Sequence, residues 1–520
     1  MIGSRIMRGL AGFLTLTLST LVMAQDFTMT ILHFNDTHGW IEPSRVQGKT
    51  VGGFSRMTTE VRRLRATRPN PIVLHAGDVF AGTLYFNVYL GMADLSILNY
   101  MGVQAMAVGN HEFDKGPQPL ADFARLARFP LLAANVDLSR EPRLQGLIAP
   151  STVITAGGQR IGVVGSITPD TPDISSPGDT VGFKDYVTSV QAAVNALEAQ
   201  GINKIVLLSH GGFDFDRQMT PRLRGIDVVV GGHSHTLLGK VEIPGFDGSR
   251  GDYPTRVTDA EGREVLIVQA WEWAKVLGDL QVTFNAQGHV IRWSGGPRLI
   301  DESIPEDPFV KQLINAFARP IEQLKSQVVG ESQSEMTRRI DPATGSESTM
   351  GYVIADAALA FVAQMQPQIA FWNNGGVRAP LDTGPVTYGE LATVCPFANT
   401  LVVLDVTGAE LRAALSLGID RGSFLIPSRG FEYRYDLSRP EGQRLVGATL
   451  NGQPLVDSQT YRLVLNSFIA SGGDAYVMFR DAKGKRVDTG FVDLDALIDY
   501  FRKNSPIRIE AEGRVKKVGG

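Results

Sequence analysis

Residues 31–38 (ILHFNDTH) and 72–78 (IVLHAGD) decide the fold, because each joins a short apolar run to a cluster of small, acidic and imidazole side chains. The same pattern returns at residues 105–112 (AMAVGNHE), 205–212 (IVLLSHGG) and 228–235 (VVVGGHSH). Apolar runs of this length, bounded by turn residues, are typical of buried strands. The first half of the chain is therefore predicted to contain at least five buried strands, each followed by a polar loop.

Helical segments separate these strands. Residues 54–65, 120–127 and 187–198 carry apolar side chains at helical spacing. Strands that alternate with helices predict a layered α/β core. In such folds ligands gather at the carboxyl ends of the strands, so the five polar clusters are expected to converge on one site.

The converging clusters suit a metal centre. Five of the eight histidines lie in them, together with Asp36, Asp78 and Asn110. Nitrogen and oxygen donors without thiolate favour zinc, manganese, cobalt or iron. One catalytic zinc takes about three protein ligands, so this many donors predicts two divalent metal ions. Asp78 is the natural bridging carboxylate, and the ions would activate a water molecule for attack on phosphorus. The five histidines are His38, His111, His210, His233 and His235.

His111 and Asp114 are the predicted catalytic pair. His111 directly follows Asn110, so Asn110 can bind metal while the imidazole faces the substrate. Asp114, three residues on, can hold the ring by a hydrogen bond, or it can cap a turn near Gly116. A protonated His111 would stabilise phosphate oxygens or protonate the leaving oxygen.

These motifs together resemble the calcineurin-type metallophosphoesterases, and the longer strings resemble the 5′-nucleotidase family within that group. The resemblance implies a four-layer α/β/β/α metallophosphoesterase sandwich followed by a separate mixed α/β domain that binds the nucleoside. It implies hydrolysis of nucleoside 5′-monophosphates, and it makes His111 and Asp114 the catalytic pair. One metal would be held by Asp36, His38, Asp78 and His235, and the other by Asp78, Asn110, His210 and His233.

The second half carries the segments that would hold the substrate. By the resemblance, residues 373–378 are the loop for ribose and phosphate, and residues 396–397 and 468–474 supply aromatic rings around the base. A further phosphate-binding arginine is expected between residues 335 and 349, where Arg338 and Arg339 both remain candidates. Stacked bases contribute about 1–3 kcal/mol each, with little selectivity among bases. The predicted substrate residues are Asn373, Arg378, Phe397, Phe468, Asp474 and one of Arg338 and Arg339.

The predicted domains are a metallophosphoesterase domain at residues 26–300, a linker with a helix at 301–329 and a C-terminal domain at 330–516. Residues 1–24 have the order of a cleavable secretory signal: Arg5 and Arg8, an uncharged apolar run, then a small-residue site near Ala24. Such a signal predicts a periplasmic or secreted protein with no membrane span in the mature chain. The formal net charge is −4, so the chain has no excess of basic residues with which to bind a nucleic-acid polymer.

Several other residues have an ordinary structural interpretation. His33 and His75 lie inside apolar runs, so they are expected to be core or supporting histidines. Trp271 and Trp273 flank Glu272 and are interpreted as packing near the domain junction. Cys395, the only cysteine, has apolar neighbours and is expected to pack in the core.

Other functions remain open. The same family motif would serve a UDP-sugar hydrolase, a 2′,3′-cyclic-nucleotide phosphodiesterase/3′-nucleotidase or a thiosulfate-ester hydrolase, although the two phenylalanine loops favour a nucleotide. A non-catalytic nucleotide-binding protein is a hypothesis of another class, and the complete ligand set argues against it. The sequence does not separate phosphate scavenging from a surface role through adenosine production, and it leaves the oligomeric state open.

Overall fold

The computed structural model describes residues 26–246, 248–342, 344–397 and 399–518. The predicted signal segment, residues 1–24, lies outside the described residues. Within the described part of the chain, no helix is both long and apolar enough to span a bilayer. Two large sheets organise the first 300 residues, and smaller sheets organise the remainder.

The first sheet has seven strands, and the predicted runs at 31–34, 72–75 and 105–108 supply three adjacent parallel strands at its centre. Ile31 packs towards the second sheet while Leu32 packs towards helices, so both faces of this strand are buried. In spatial order the strands are Val290–Leu299, Val276–Phe284, Phe27–Phe34, Pro71–His75, Ala105–Ala107, Leu131–Leu132 and Ile148–Ala149.

The second sheet has six strands with a parallel centre formed by the predicted runs at 205–208 and 228–230. Antiparallel strands close its two edges. In spatial order its strands are Thr255–Thr258, Glu264–Gln269, Val228–Gly231, Ile205–His210, Gln159–Ile167 and Ser151–Ala156. The short pairs Ser44–Val46 with Lys49–Val51 and Val136–Asp137 with Gly182–Phe183 lie outside both sheets.

Three apolar cores separate the layers. One lies between the two sheets, one between the first sheet and its helices, and one between the second sheet and its helices. The predicted four-layer α/β/β/α order is therefore confirmed. The helices are Phe54–Thr67, Leu84–Tyr89, Met92–Met101, Pro117–Leu126, Thr171–Ile174, Tyr186–Glu198 and Phe213–Met219, with 3₁₀ turns at His111–Phe113 and Thr220–Arg222.

The helix Pro308–Lys325 connects the two halves. The Asp307 carboxylate caps it by accepting from the backbone N–H groups of Phe309 and Val310, and Pro308 supplies a first-turn residue that needs no hydrogen-bond partner. Its inner face, with Val310 and Ile314, joins the core of the first half. The helical segment expected within residues 301–329 is therefore present.

The second half has its own core, as a separate domain requires. Its five-stranded sheet has the order Leu425–Pro427, Ile369–Asn373, Thr460–Asn466, Thr400–Thr407 and Arg486–Val492. A four-stranded sheet has the order Gln453–Pro454, Leu445–Leu450, Phe431–Tyr435 and Val515–Lys517, and Val328–Ser332 pairs with Gly384–Thr387. The helices are Thr349–Phe361, Tyr388–Val394, Gly408–Arg421, Ser467–Ala470, Val477–Asp481 and Asp493–Asn504, with 3₁₀ turns at Ala363–Met365, Asn374–Gly376 and Gly473–Ala475.

Candidate active site

The five polar clusters meet at one end of the two packed sheets. Asp36, Asp78 and Asn110 follow three neighbouring strands of the first sheet. His210 ends a strand of the second sheet, and His233 follows the strand beside it. The convergence follows from the topology, because parallel strands place their carboxyl ends on one edge.

One group of donor atoms consists of Asp36, His38 and His235. Their candidate ligand atoms lie within 4.8 Å of one another. The two imidazoles approach most closely, with 3.0 Å between His38 Nε2 and His235 Nε2. His235 Nε2 also lies 3.6 Å from Asp36 Oδ1. This group could hold a metal ion.

A second group consists of Asp78, His210 and His233, again with candidate ligand atoms within 4.8 Å of one another. His210 Nε2 lies 3.0 Å from Asp78 Oδ2. Asn110 adds its amide oxygen, 3.2 Å from His210 Nε2 and 2.9 Å from His233 Nδ1. This group could hold another ion, and all four of these side chains were predicted to be ligands.

Asp78 lies between the two groups. Its Oδ2 is 3.0 Å from His210 Nε2 in the second group and 3.7 Å from His38 Nε2 in the first. Its Oδ1 accepts a hydrogen bond from the backbone N–H of His111. Nearby histidines hold the pKa of Asp78 well below its usual value even though burial opposes ionisation. A carboxylate in this place can bridge two ions, which is the role predicted for Asp78.

The donor set fits cations. His38 Nδ1 lies 2.8 Å from the carbonyl oxygen of Phe80, and His235 Nδ1 lies 2.8 Å from a carboxylate oxygen of Glu272. Each ring can therefore donate from Nδ1, which leaves the two Nε2 atoms facing each other across 3.0 Å. Two imidazole nitrogens approach this closely when a positive charge, either a proton or a metal ion, lies between them. The donors are nitrogen and oxygen only, a set that suits divalent first-row ions.

The backbone is strained at the same residues. Left-handed φ angles between 47° and 70° occur at five of the seven predicted ligands: Asp36, His38, Asp78, His233 and His235. Such angles cost free energy for residues with a β-carbon, and they concentrate at functional sites where surrounding contacts enforce them. The turns after these strands therefore orient the ligand atoms, and the strained backbone angles lower the stability of the fold.

His111 and Asp114 form a close pair beside the metal-binding groups. His111 Nδ1 lies 2.6 Å from Asp114 Oδ2, and both side chains are almost fully buried. Asp114 Oδ1 also accepts from the hydroxyl of Ser175 at 2.8 Å. Burial disfavours a charged imidazole, but Asp114 and Asp78 outweigh it and raise the pKa of His111 to about 10. The Asp114 carboxylate therefore binds the ring of His111 rather than capping a turn.

Glu112 supports the site, although no role was predicted for it. Its buried carboxylate accepts four backbone N–H groups, from Asp78, Val79, Phe80 and Gly109, at 2.6–3.1 Å. It thereby joins the loop that carries Asp78 to the loop that carries Asn110. The sequence signal was present, because a glutamate directly after two polar site residues, Asn110 and His111, is rarely left without a partner when buried.

The ordinary interpretations of two histidines agree with the structure. His33 is buried and forms a 2.7 Å hydrogen bond between its Nε2 and the Tyr253 hydroxyl. His75 accepts from the backbone N–H of Gly77, and its Nε2 lies 3.2 Å from the Thr37 hydroxyl. Neither ring belongs to the two groups of candidate ligands. Cys395 is buried, as expected.

The predicted substrate residues cluster on the C-terminal half. Asn373 Nδ2 donates to Asp474 Oδ2 at 2.7 Å, and the Arg378 guanidinium lies 5.4 Å from the centre of the Phe397 ring. Phe397 and Phe468 are 44% and 48% exposed, so neither belongs to the core. Among the described hydrogen bonds of these five side chains, none reaches the metal-binding half.

Arg338 and Arg339 differ in their surroundings. Arg338 is half-buried, and its Nε donates to the carbonyl oxygen of Val377 at 3.0 Å. Burial and the charges of Arg339 and Arg378 lower the pKa of its guanidinium. Arg339 is exposed. Arg338 is therefore partly desolvated, as a guanidinium that binds an anion is expected to be, whereas Arg339 is not.

The C-terminal half touches the predicted catalytic pair through Gly490. A β-carbon built on Gly490 would lie 1.8 Å from His111 Nε2, so the glycine backbone lies directly against the ring. Gly490 has a φ of 63°, which favours glycine as well. The sequence could not identify this contact, because 379 residues separate the two positions.

Comparisons with known proteins agree with this geometry. Residues 29–237 match the family described as calcineurin-like phosphoesterase, and residues 328–481 match the one described as 5′-nucleotidase, C-terminal domain. The 5′-nucleotidase of Diplobatis ommata is 36% identical over 524 residues, covering 95% of this chain and 90% of that protein. The human 5′-nucleotidase is 34% identical over 528 residues, covering 95% and 91%.

Two solved structures are similar over nearly the whole chain. The 5′-nucleotidase precursor of Thermus thermophilus is 45% identical, with a TM-score of 0.64, and the match covers 95% of this chain and 99% of that one. The NAD nucleotidase of Haemophilus influenzae is 28% identical, with a TM-score of 0.78 and coverage of 95% and 100%.

Proposed function

The chain belongs to the 5′-nucleotidase family, and from that premise we propose that it hydrolyses nucleoside 5′-monophosphates to nucleoside and phosphate with two divalent metal ions. It is a metal-dependent phosphoric monoester hydrolase. One observation carries the proposal: Asp78 lies between two groups of buried nitrogen and oxygen donors, and the His111–Asp114 pair lies beside it.

The metal ligands are assigned from these groups. When bound, two divalent ions supply an activated water and offset the negative charge of the phosphate. The chain contributes by holding the donor atoms in place before the ions arrive, through the strained turns and the four hydrogen bonds to Glu112. Zinc, manganese and cobalt all suit this donor set, and availability often decides among them. One ion would take Asp36, His38, Asp78 and His235, and the other would take Asp78, Asn110, His210 and His233.

His111 is assigned to the phosphate and the leaving oxygen. Its Nδ1 is engaged by Asp114, so its Nε2 is the atom that can donate a proton or a hydrogen bond. The elevated pKa of His111 supports a charged ring at neutral pH. A positioned acid of this kind contributes about 10²–10⁴-fold to a rate.

The nucleoside is assigned to the C-terminal half. Phe397 and Phe468 are exposed aromatic rings that suit stacking on the two faces of a base. Asp474 and Asn373, already joined by a hydrogen bond, offer acceptors and donors for ribose hydroxyls. Arg378 and Arg338 would bind the phosphate, and the half-buried setting of Arg338 supports it over Arg339.

We propose that the domain at residues 26–300 and the domain at 330–516 move relative to each other during turnover. The Gly490 backbone occupies the space next to His111 Nε2, so a phosphate cannot reach that atom in this arrangement. A crosslink that locks this arrangement should abolish turnover. Unchanged turnover in the locked protein would contradict the movement.

Export is also a proposal. The order of charges and apolar residues before residue 25 supports a cleavable signal, and so a periplasmic or secreted enzyme. Among the relatives are proteins named snake venom 5′-nucleotidase. Cleavage near Ala24 predicts that the mature protein begins near Gln25, which N-terminal sequencing of the exported protein would test.

A second substrate class is supported by one comparison. The similar structure from Haemophilus influenzae is named an NAD nucleotidase, so a dinucleotide with a pyrophosphate link is a second candidate substrate. A substrate panel tests both, with AMP, NAD, UDP-glucose and 2′,3′-cyclic AMP compared under the same manganese concentration. Preference for AMP supports the proposal. Turnover of another phosphoester but not of AMP would leave the proposed metal centre in place and would change the proposed substrate.

A further inference from the structure

Glu272 and Lys275 form a buried ion pair directly behind His235. Glu272 Oε2 lies 2.8 Å from His235 Nδ1, and Glu272 Oε1 accepts from Lys275 Nζ at 2.6 Å. Both side chains are largely buried. The ion pair therefore contacts a candidate metal ligand on the side away from the metal-binding groups.

This hydrogen bond determines which nitrogen of His235 faces the site. Because Glu272 accepts from Nδ1, the ring presents Nε2 to the site, 3.0 Å from His38 Nε2 and 3.6 Å from Asp36 Oδ1. A carboxylate behind an imidazole fixes its tautomer and makes it a stronger ligand. By contrast, His38 and His210 donate to the backbone carbonyls of Phe80 and Ala76.

Two indole rings enclose the ammonium group of Lys275. Its Nζ lies 3.9 Å from the centre of a Trp273 ring and 4.5 Å from that of Trp271. Trp40, which follows the first metal-binding cluster, stacks on Trp273 at 4.5 Å with 11° between the planes. Aromatic faces attract a cation and exclude water from it. Lys275 is thus held against Glu272. The two tryptophans were expected only to pack, but they also enclose this ammonium group.

The loop that carries this ion pair is strained and tightly held. Trp271, Trp273 and Ala274 have left-handed φ angles of 58°, 54° and 54°. The Trp271 carbonyl accepts from Asn35 Nδ2 at 2.7 Å, and the Trp273 N–H donates to the Asp36 carbonyl at 2.8 Å. Strain of this kind persists only where surrounding contacts enforce it, and it accompanies functional positions.

We propose that Glu272, held by Lys275 between the two indoles, is a positioning residue that sets the affinity of the metal position formed by Asp36, His38 and His235. The inference rests on the proposed function, because it requires that this group bind a metal. It assigns no contact between Glu272 and the substrate. Its effect should pass through His235 alone, so the other metal position should be unaffected.

Equilibrium dialysis with Mn²⁺ as the probe tests this on the full mature chain. The unmodified protein should bind two ions. Glu272→Gln keeps the shape of the side chain and removes its charge, and it should weaken one of the two binding steps by about 10–100-fold. Asp356→Asn, which breaks a buried two-pronged ion pair with Arg514 in the other half, is the matched control and should leave both steps unchanged.

A double-mutant comparison separates positioning from general damage. If Glu272 acts through His235, Glu272→Gln should weaken manganese binding in the unmodified protein but not in a His235→Ala background. Melting of the metal-free variants verifies that each is folded. Equal weakening in both backgrounds, or no weakening in either, would overturn the inference.

The same dialysis distinguishes this inference from the proposed function. Two bound ions and phosphate release from AMP in the unmodified protein, with unchanged binding in Glu272→Gln, would overturn the inference alone. An unmodified protein that binds no second ion would overturn the two-metal function and the inference together.

Discussion

Asp114→Asn perturbs the catalytic pair with the smallest change of shape. The carboxylate that lies 2.6 Å from His111 Nδ1 becomes an amide, so its charge is lost and one orientation places an N–H₂ group against the ring N–H. Buried histidines without a hydrogen-bonded carboxylate show the effect of burial, which lowers the pKa of His38, His75 and His233 to about 3. His111 instead has a pKa raised to about 10 because Asp114 and Asp78 outweigh the same burial.

The magnitude follows from the hydrogen bond. A hydrogen bond to a charged group contributes about 1.5–3 kcal/mol. If the hydrogen bond stabilises the transition state by this whole free energy, its loss lowers kcat at pH 7 about 10–150-fold. Bound metal ions oppose protonation of His111, so loss of the Asp114 charge should also leave less of the charged ring at neutral pH. The pH profile of the variant should therefore rise towards acid pH, where the charged ring is restored.

The assay is phosphate release from AMP at saturating manganese between pH 5 and 9, with bound metal measured in the same samples. Asp122→Asn is the control, because Asp122 is a half-exposed carboxylate in the next helix, and its partners among the described residues are the surface side chains of Gln118 and Arg125. Its kcat should stay within twofold of the unmodified protein. An Asp114→Asn enzyme with two bound ions, a kcat within threefold of normal and an unshifted pH profile would refute the reasoning.

Three further predictions concern other parts of the molecule. Arg338→Ala should raise the KM for AMP about tenfold or more, as loss of a charge-assisted hydrogen bond does, while Arg339→Ala should change it less than threefold; equal effects would contradict the assignment. Glu112→Ala leaves four buried backbone N–H groups unpaired, at about 1–3 kcal/mol each, so its melting temperature should fall by several degrees, and an unchanged melting temperature would contradict the support role. Burial raises the pKa of Asp94 from 3.8 to about 8, so the folded chain binds its proton more tightly than the unfolded chain and this stabilisation is lost as pH rises from about 4 to 8. The difference in free energy of unfolding between Asp94→Asn and the unmodified protein should therefore shift in favour of the variant by more than about 1.4 kcal/mol from pH 5 to pH 9. Parallel curves of unfolding free energy against pH would contradict this.

Local pattern was enough to predict most of the fold. The apolar run before Asp36 and the one before Asp78 each became a strand of the first sheet, because short runs that are mostly apolar are typical of buried strands. The helical stretch predicted at 187–198 became Tyr186–Glu198. The convergence of the polar clusters then followed from parallel strand order, which is why the members of the two candidate metal-binding groups could be predicted from the sequence.

Contacts between distant loops could not be predicted in this way. Glu272 follows a strand and reaches His235, 37 residues away, only because the two loops meet at the same edge. The contact of Gly490 with His111 depends on how two domains are placed, which periodicity does not encode. The choice between Arg338 and Arg339 needed the direction of each side chain, and neighbours in sequence do not reveal it.

The most direct measurement is phosphate release from AMP by the purified mature chain with manganese, beside His111→Ala and His289→Ala. His289 lies exposed in a turn, so its replacement is the matched control. We expect metal-dependent release that a chelator abolishes, that His289→Ala retains and that His111→Ala lowers at least about 100-fold. Two bound ions without release from AMP or any other phosphoester would contradict the proposed hydrolase and favour a protein that only binds nucleotides.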